Sequence, residues 1–452
     1  MDRNTNLTEG NIFSTLTKLA LPIMGTSFLH MAYNLTDIMW LGRLSTEAVA
    51  AAGNAGFFLW FGAGIILMSQ IGAGVGVAQS YGKEDLDEAK KYVSNGIQLN
   101  IFTAVLYGLI LLVFRHKLIG FFNLKDIDVY NMSIDYLIII SIGMVFNFIN
   151  PIFSTILNST GNSMTPFKIN TIGLVFNMIL DPLLIFGFGP IKAYGIKGAA
   201  VATILSQIIV CLIFIYIGRT SKNLYAQVNL FKKPDLKLME EMIRLGFPAF
   251  LQTSAHSSIS MALTRIIAQF GSIALAAQSV GSKIESLSWM TAEGFSAAIS
   301  AFVGQNYGAK KYDRIKEGYT KGMEIVGGIG VFVSLLLIFA PRQLFAIFTP
   351  EDKLAIKEGA NYLRILGFSQ FFMCLEIGTA GAFNGLGKTI PPSIVGVSMN
   401  FMRIPIAIVL ANHTSLGLSG VWWSISVTGI IKGIILSIWF KLYLNKRFSS
   451  EL

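Results

Sequence analysis

Long apolar segments recur along the whole chain and are separated by short polar loops. Each segment is about 20 residues or longer, which suffices for an α-helix to cross a hydrocarbon core of roughly 30 Å. Stretches such as 104–114 and 325–340 are apolar on every helix face and lack the alternation typical of a membrane β-strand. The pattern therefore predicts helices. The approximate predicted spans are 12–41, 48–78, 92–115, 131–156, 166–190, 196–218, 241–269, 274–305, 319–341, 357–384, 390–411 and 417–443.

The two halves of the chain share a pattern of Pro, Gly and Asn. A shift of 226 positions aligns Pro22 with Pro248 and the segment 79–83 with 305–309. Shifts of 223 and 222 extend the alignment to later pairs, namely Asn177 with Asn400, Pro182 with Pro405 and Gly195 with Gly417. Unlike features at nearly constant spacing indicate an internal repeat. We predict an all-α integral membrane protein with twelve transmembrane helices in two homologous six-helix lobes around a central cavity.

The repeat also predicts how the chain is divided. The N-terminal lobe is expected at 1–218, a basic and polar cytoplasmic linker at 219–240, and the C-terminal lobe at 241–452. Because each lobe has an even number of spans, both repeats enter the membrane in the same direction, as in several transporter folds. Two lobes joined by a short linker can rock against each other and open a cavity alternately to either side.

Composition and charge agree with a protein that lies in lipid. Hydrophobic residues make up 53% of the chain and charged residues only 13%. The net charge of +10 comes from bases in short loops, so the chain lacks the basic patch of a nucleic-acid-binding domain. The bases are more frequent in the loops on the same side of the membrane as the two termini. According to the positive-inside rule, the side with more Lys and Arg is the cytoplasmic one. We expect a multi-pass protein of the inner (plasma) membrane with both termini cytoplasmic and no nucleic-acid partner.

Two acids interrupt the apolar spans of the N-terminal half. Asp37 lies in the first span and Asp181 in the fifth, where Asn177 shares its helix face four residues earlier. Thr203 on the sixth span adds a hydroxyl. An ionisable group in lipid is costly, so these oxygens are candidates for binding Na⁺ or a proton. In the alternative interpretation, Asp181 caps a helix break at Pro182 and Asp37 merely sits at the outer interface.

The repeat favours the cation site over the alternative. The counterparts of Asn177 and Asp181 in the second half are Asn400 and Ile404. An acid that served only to end its helix would be expected in both halves. The asymmetry therefore indicates a cation site specific to the N-terminal lobe, with its two aspartates as the coupling residues.

The C-terminal half carries ionisable residues of mixed sign within its spans. Such residues either pair across helices to hold a lobe together or contact a substrate, and the sequence leaves both roles open. The candidates are His256, Arg265, Glu285, Glu293, Glu376 and Arg403.

Several motifs taken together resemble bacterial members of the multidrug and toxic compound extrusion (MATE) family. They are the segment 34–42, the Gln-x-Tyr-Gly sites after spans two and eight, and the segments 158–161, 177–182 and 195–203. The resemblance covers nearly the whole chain. It implies antiport of Na⁺ or H⁺, export of diverse and often cationic drugs, and an N-lobe cation site. In this chain, the residues at the positions of the family's N-lobe cation site are Asp37, Asn177, Asp181 and Thr203.

The chain departs from the branch of the family that carries acids on the seventh and tenth helices. His256 stands where that branch has a glutamate, and Glu376 is displaced by about one helical turn from the expected acid. The pattern is therefore closer to the branch that relies on its N-lobe aspartates.

We interpret the chain as a secondary active efflux transporter that works as a monomer and needs no cofactor besides its coupling ion. The alternative is a lipid-linked precursor flippase of the same superfamily, whose cavity would be rich in Arg and Lys. Arg265, Lys283 and Arg403 leave that alternative open, but the chain lacks the two extra helices common in such flippases. An enzyme is not expected, because the four histidines lack metal-ligand spacing and no Walker A motif is present.

Overall fold

The computed structural model describes residues 5–221 and 232–448, and within them the chain is helical almost throughout. Apart from one isolated bridge between Phe188 and Ile191, its regular elements are fourteen α-helices in the described ranges. They are α1 (Ile12–Leu44), α2 (Thr46–Gly82), α3 (Leu86–Gly120), α4 (Ile127–Ile142), α5 (Met144–Ser159), α6 (Met164–Phe186), α7 (Ile196–Ser221), α8 (Leu236–Ala268), α9 (Ser272–Gly308), α10 (Tyr312–Phe339), α11 (Pro341–Ala346), α12 (Lys353–Gly385), α13 (Ile390–Asn412) and α14 (Leu418–Phe448).

The fourteen helices agree with twelve spans once two local features are taken into account. The helix α11 has only six residues and is too short to cross a membrane. The helices α4 and α5 meet at Gly143 with a bend of 51° and together occupy the single predicted span 131–156. A side chain at Gly143 would overlap Ile204, so the bend brings the backbone against α7. The predicted all-helical class is confirmed.

The helices α8 and α9 are less hydrophobic than the other long helices. In the two described ranges, nine helices are long and apolar enough to cross a membrane, or ten if α4 and α5 form one span. The helices α8 and α9 have 33 and 37 residues, which is ample length, but they are rich in Ser, Thr, Gln and charged residues. Polar side chains at membrane depth require partners within the protein or a wet cavity. These two helices therefore depend on burial or solvation of one face.

Contacts divide the chain into two compact units. Unit 1 consists of Met1–Thr5 and Gly25–Phe247, and unit 2 of Asn6–Met24 and Pro248–Leu452. Residues 12–24 of α1 thus group with unit 2, and residues 236–247 of α8 with unit 1. The predicted lobes at 1–218 and 241–452 stay a prediction. Of the predicted linker 219–240, residues 222–231 lie outside the described residues, and α7 and α8 extend into its two ends.

The N-terminal segment is held in unit 2 by hydrogen bonds to its backbone. Arg314 on α10 donates to three carbonyl oxygens, with distances of 3.3 Å to Leu7, 2.6 Å to Glu9 and 2.9 Å to Gly10. Leu7 is fully buried in the same core as Phe302, over whose ring the guanidinium lies at 5.3 Å. One arginine therefore satisfies three backbone acceptors of a segment that forms no helix of its own.

The N-terminal part of α8, residues 236–247, packs closely against α2 within unit 1. Met242 on α8 is fully buried in a core that includes Ala73 and Ile97. A Cβ atom added at Gly72 on α2 would lie 2.6 Å from the Met242 Cα atom. Only glycine permits this approach of the two backbones, as at close helix crossings in membranes generally.

We expect the Gly72→Ala substitution to destabilise the protein by roughly 1–3 kcal/mol, because the added methyl group forces α2 and α8 apart. The matched control is Gly53→Ala in the same helix, where an added Cβ meets no atom within 4 Å. That control should be neutral or stabilising by up to about 1 kcal/mol, since alanine favours helix more than glycine does. Thermal unfolding of the purified variants in detergent measures both effects. Equal transition temperatures for the two variants would contradict the prediction.

Candidate functional site

The four residues predicted to form a cation site lie together in unit 1. Asp37 is on α1, Asn177 and Asp181 are on α6, and Thr203 is on α7. The Thr203 hydroxyl donates to Asp37 Oδ2 at 3.5 Å, and the Asn177 amide donates to Asp181 Oδ1 at 3.2 Å. The two carboxyl groups lie close enough for each to influence the other electrostatically. The structure thus joins residues from three helices in one polar cluster.

Helix geometry and burial explain how α6 presents its pair of residues. Asn177 and Asp181 are four residues apart, which places them one above the other on the same helix face, and both are fully buried. The helix continues through Pro182 to Phe186, so Asp181 is not at a helix end. The alternative interpretation of Asp181 as a cap for a helix break is therefore wrong.

Three acceptor oxygens of the cluster are buried without a hydrogen-bond partner. They are Asp37 Oδ1, Asp181 Oδ2 and Asn177 Oδ1. Buried acceptors without donors are costly, and two ionised carboxylates at this separation repel each other. A shared proton or a bound Na⁺ would relieve both penalties, and hard oxygen ligands suit a small alkali cation.

A cation held here would depend on neutral oxygens as well as on the two acids. Within residues 5–221 and 232–448, no three His, Cys, Asp or Glu side chains are grouped so that they could hold a metal ion. Asn177 and Thr203, which each donate a hydrogen bond to one of the two carboxylates, could each contribute a neutral oxygen. The assignment of these four residues to a cation site stays a prediction.

Two tyrosines of the site were not among the predicted residues. The Tyr33 hydroxyl donates to the Thr203 carbonyl oxygen at 3.3 Å, and Tyr136 on α4 is buried beside both carboxylates. Tyr33 precedes Asp37 by four residues on α1, so helical spacing alone would have placed it on the same face. Tyr136 carries no such signal, because only packing of α4 brings it to the site.

The structure also joins three of the six predicted C-terminal residues in unit 2. Glu376 on α12 forms an ion pair of 3.0 Å with Lys432 on α14, and both side chains are about nine-tenths buried. Glu285 on α9 and Arg403 on α13 lie in the same electrostatic network. His256 is near Arg403 and Lys432 but forms no hydrogen bond among the described residues.

The remaining two predicted residues stand apart from this network. Arg265 on α8 and Glu293 on α9 are exposed side chains. Neither forms a hydrogen bond or an ion pair with another residue in the part of the chain that the structure describes. Lys432, in contrast, was not among the predicted site residues, although a lysine in the middle of an apolar helix is itself a signal.

The comparison with protein families finds the same domain twice in this chain. The model of the MatE family matches residues 22–183 and residues 248–409. The second match begins 226 positions after the first, which is the shift that aligns Pro22 with Pro248. The internal repeat predicted from the sequence is therefore confirmed.

Known relatives and solved structures agree with the family match. The chain is 29% identical over 428 residues to the probable multidrug resistance protein NorM of Thermotoga maritima, covering 94% of this chain and 90% of the relative. It is 26% identical over 424 residues to the probable multidrug resistance protein YoeA of Bacillus subtilis, covering 91% and 90%. A crystal structure of MATE in the bent conformation has the same fold, with a TM-score of 0.91, 21% identity and coverage of 99% and 98%. Because the family model accounts for most of both halves, the chain belongs to the multidrug and toxic compound extrusion (MATE) family.

Proposed function

We propose that this protein is a secondary antiporter that exports small organic, often cationic compounds in exchange for Na⁺ or H⁺ by alternating access. The family consists of transporters, so the chain is not an enzyme. The observation that carries the proposal is the polar cluster of Asp37 and Asp181, in which each carboxyl group has a buried oxygen without a hydrogen-bond partner. The relatives named as multidrug resistance proteins support the substrate class.

The two aspartates supply the charge that changes during transport. With both ionised and close together, they attract one cation or proton, and binding it removes most of their repulsion. The Asn177 amide orients the Asp181 carboxylate, and the Thr203 hydroxyl orients that of Asp37. Burial makes the empty, doubly charged site costly, so loss of the cation favours a different arrangement of the helices around it.

We further infer that the protein is a monomer of the inner membrane with both termini cytoplasmic. The excess of Lys and Arg in the loops on that side supports this orientation. The coupling ion enters from the opposite side, where its concentration or electrical potential drives it inward. This inward movement of the coupling ion drives export of the organic substrate against the substrate's own concentration gradient.

A lipid-linked precursor flippase is the weaker alternative. Such a protein binds a phosphorylated anion and would need an excess of positive charge near its binding residues. In unit 2, Arg403 and Lys432 are balanced by Glu285 and Glu376 in one network. The cluster therefore has no net positive charge, which favours drug export.

The first prediction concerns the driving force. Proteoliposomes containing the purified protein should move the lipophilic cation ethidium only when a Na⁺ or pH gradient is imposed, and an ionophore that dissipates that gradient should stop the movement. Comparing the two gradients separately identifies the coupling ion. Equal movement with and without any gradient would refute antiport.

The second prediction concerns the aspartates. Asp37→Asn and Asp181→Asn preserve side-chain shape but remove the charge that binds the cation, so coupled exchange should fall about tenfold or more, equivalent to about 1.4 kcal/mol. Asp135→Asn is the matched control, because Asp135 forms an ion pair with Lys197 at 3.1 Å where both side chains are more than one-third exposed. Exchange at the unsubstituted rate in both site variants would rule out the N-terminal site and favour Glu285, Glu293 or Glu376.

The third prediction separates affinity from turnover. Asn177→Ala and Thr203→Ala each remove one neutral ligand, which a water molecule can partly replace. We expect the half-saturating concentration of the coupling ion to rise roughly fivefold, consistent with about 1 kcal/mol per neutral hydrogen bond, while the maximal rate stays within about twofold. Initial rates of dye exchange at graded ion concentrations measure both quantities. A loss of maximal rate with unchanged half-saturation would contradict the ligand role.

A further inference from the structure

One side of the polar cluster in unit 1 is closed by apolar residues. One helical turn from the cluster, toward the C-terminal end of α1, each of its three helices carries a buried apolar side chain. These residues are Leu41 on α1, Ile185 on α6 and Ala199 on α7, and they belong to one hydrophobic core. They are called the roof below. Because the roof has no side-chain oxygen to replace the hydration of an ion, it is a poor path for a cation.

An aromatic pair and an arginine lie at the same end of the helices. Trp40 packs against the core that contains the roof, and its ring meets that of Phe186 edge-on with 6.2 Å between the centroids. The Arg43 guanidinium lies 4.7 Å from the centroid of the Trp40 ring. A fixed positive charge at this end repels an approaching cation. In the proposed orientation this end faces the outer side, so the cluster is closed in that direction.

The opposite side of the cluster is polar on α1 and α7. Tyr33 precedes Asp37 by four residues, and Gln207 follows Thr203 by four residues, so each lies one helical turn from the cluster. Ser206 is fully buried beside Tyr33, and its hydroxyl has no hydrogen-bond partner among the described residues. A buried hydroxyl in this state indicates a position for a water molecule or an ion.

A small cavity between α1, α6 and α7 continues this polar side. Its polar lining residues are His30, Tyr33, Asn170 and Gln207, and it is called the vestibule below. The centre of a water-sized sphere can occupy about 10 Å³ of it, which is about the room that one water molecule needs. Tyr33 joins the vestibule to the cluster, because its hydroxyl donates to the Thr203 carbonyl oxygen at 3.3 Å. His30 is exposed at the other end.

The two amides of the vestibule are held by neighbours in a way that leaves polar atoms for a water molecule. The Asn170 amide nitrogen donates to the Pro166 carbonyl oxygen at 2.8 Å. The Asn150 amide donates to Gln207 twice, at 2.7 Å to the side-chain oxygen and at 2.9 Å to the backbone oxygen. These bonds use neither the Asn170 side-chain oxygen nor the Gln207 amide nitrogen. A water molecule can donate to the first and accept from the second.

We propose that the vestibule is the single route by which the coupling ion reaches and leaves the cluster, with one bound water molecule that hydrates the ion as it passes. The inference rests on the proposed antiport. In alternating access, a site with one opening is exposed to each side in turn, and the roof prevents a leak through the other end. The vestibule therefore sets the rate of ion binding and release, whereas the cluster sets the affinity.

Cysteine substitutions on one helix test which end of the cluster is open to ions. Both native cysteines, Cys211 and Cys374, are buried and give a low background. The reagent is 2-aminoethyl methanethiosulfonate, a small cation, applied to the purified protein in nanodiscs. Gln207→Cys in the vestibule should react at least about tenfold faster than Ala199→Cys in the roof, because only an accessible thiolate reacts. Equal or faster reaction of Ala199→Cys would overturn the proposal, as would lack of reaction in both variants.

The Gln207→Leu variant separates a route from a ligand. Leucine has a similar size but forms no hydrogen bond with water, and Asn150 keeps the backbone oxygen of residue 207 as an acceptor. The maximal rate of dye exchange should fall about tenfold, as expected for loss of a hydrogen bond to a charged species, while the half-saturating ion concentration stays within about twofold. Gln269→Leu, which changes an exposed glutamine after α8, should alter neither quantity.

The outcomes distinguish the vestibule from the antiport on which it rests. A raised half-saturating concentration with an unchanged maximal rate in Gln207→Leu would make Gln207 a ligand of the ion and overturn the route, as would two unchanged quantities. Lack of gradient-driven ethidium movement by the unsubstituted protein would overturn antiport instead. The relative reactivity of the two cysteine variants would still decide which end of the cluster is open.

Discussion

Lipid offers no hydrogen bonds, and this restriction shapes the molecule from its backbone to its side chains. Helices satisfy the backbone internally, which is why the described chain is helical almost throughout. Polar side chains at membrane depth must then find one another. Among the ionisable side chains, one such cluster lies around Asp37 and Asp181 in unit 1 and another around Glu376 and Lys432 in unit 2.

The two clusters differ in the charges of their side chains. The cluster of unit 1 has two acids and no base, so it remains unsatisfied until a cation or proton binds. The cluster of unit 2 has two acids and two bases, so its formal charges cancel without a bound ion. A balanced network can stay fixed while the acidic one changes its charge. The repeat at Asn177 and Asn400 shows that a common scaffold supports both, with Asp181 replaced by Ile404.

Close backbone contacts hold the first helix of each half in place. Gly72 allows α8 to approach α2 within unit 1, and Gly294 similarly meets Met24 of α1 within unit 2. Arg314 fixes the segment before α1 through its carbonyl oxygens. Met24 belongs to unit 2, although most of α1 belongs to unit 1, and the part of α8 beside Gly72 belongs to unit 1, although the rest of α8 belongs to unit 2. Each of these two helices therefore contributes to both units.

The sequence by itself determined the helices, their approximate spans and the repeat, because these depend on local hydropathy and on spacing along the chain. It also placed Asn177 and Asp181 on one face, since helical periodicity relates neighbours four residues apart. Only the tertiary structure decided that Asp37 meets Asp181, that Tyr136 stands beside them, and that Lys432 neutralises Glu376. Such contacts join helices far apart in sequence. They depend on which faces of the helices pack together, and a single chain's hydropathy does not encode that choice.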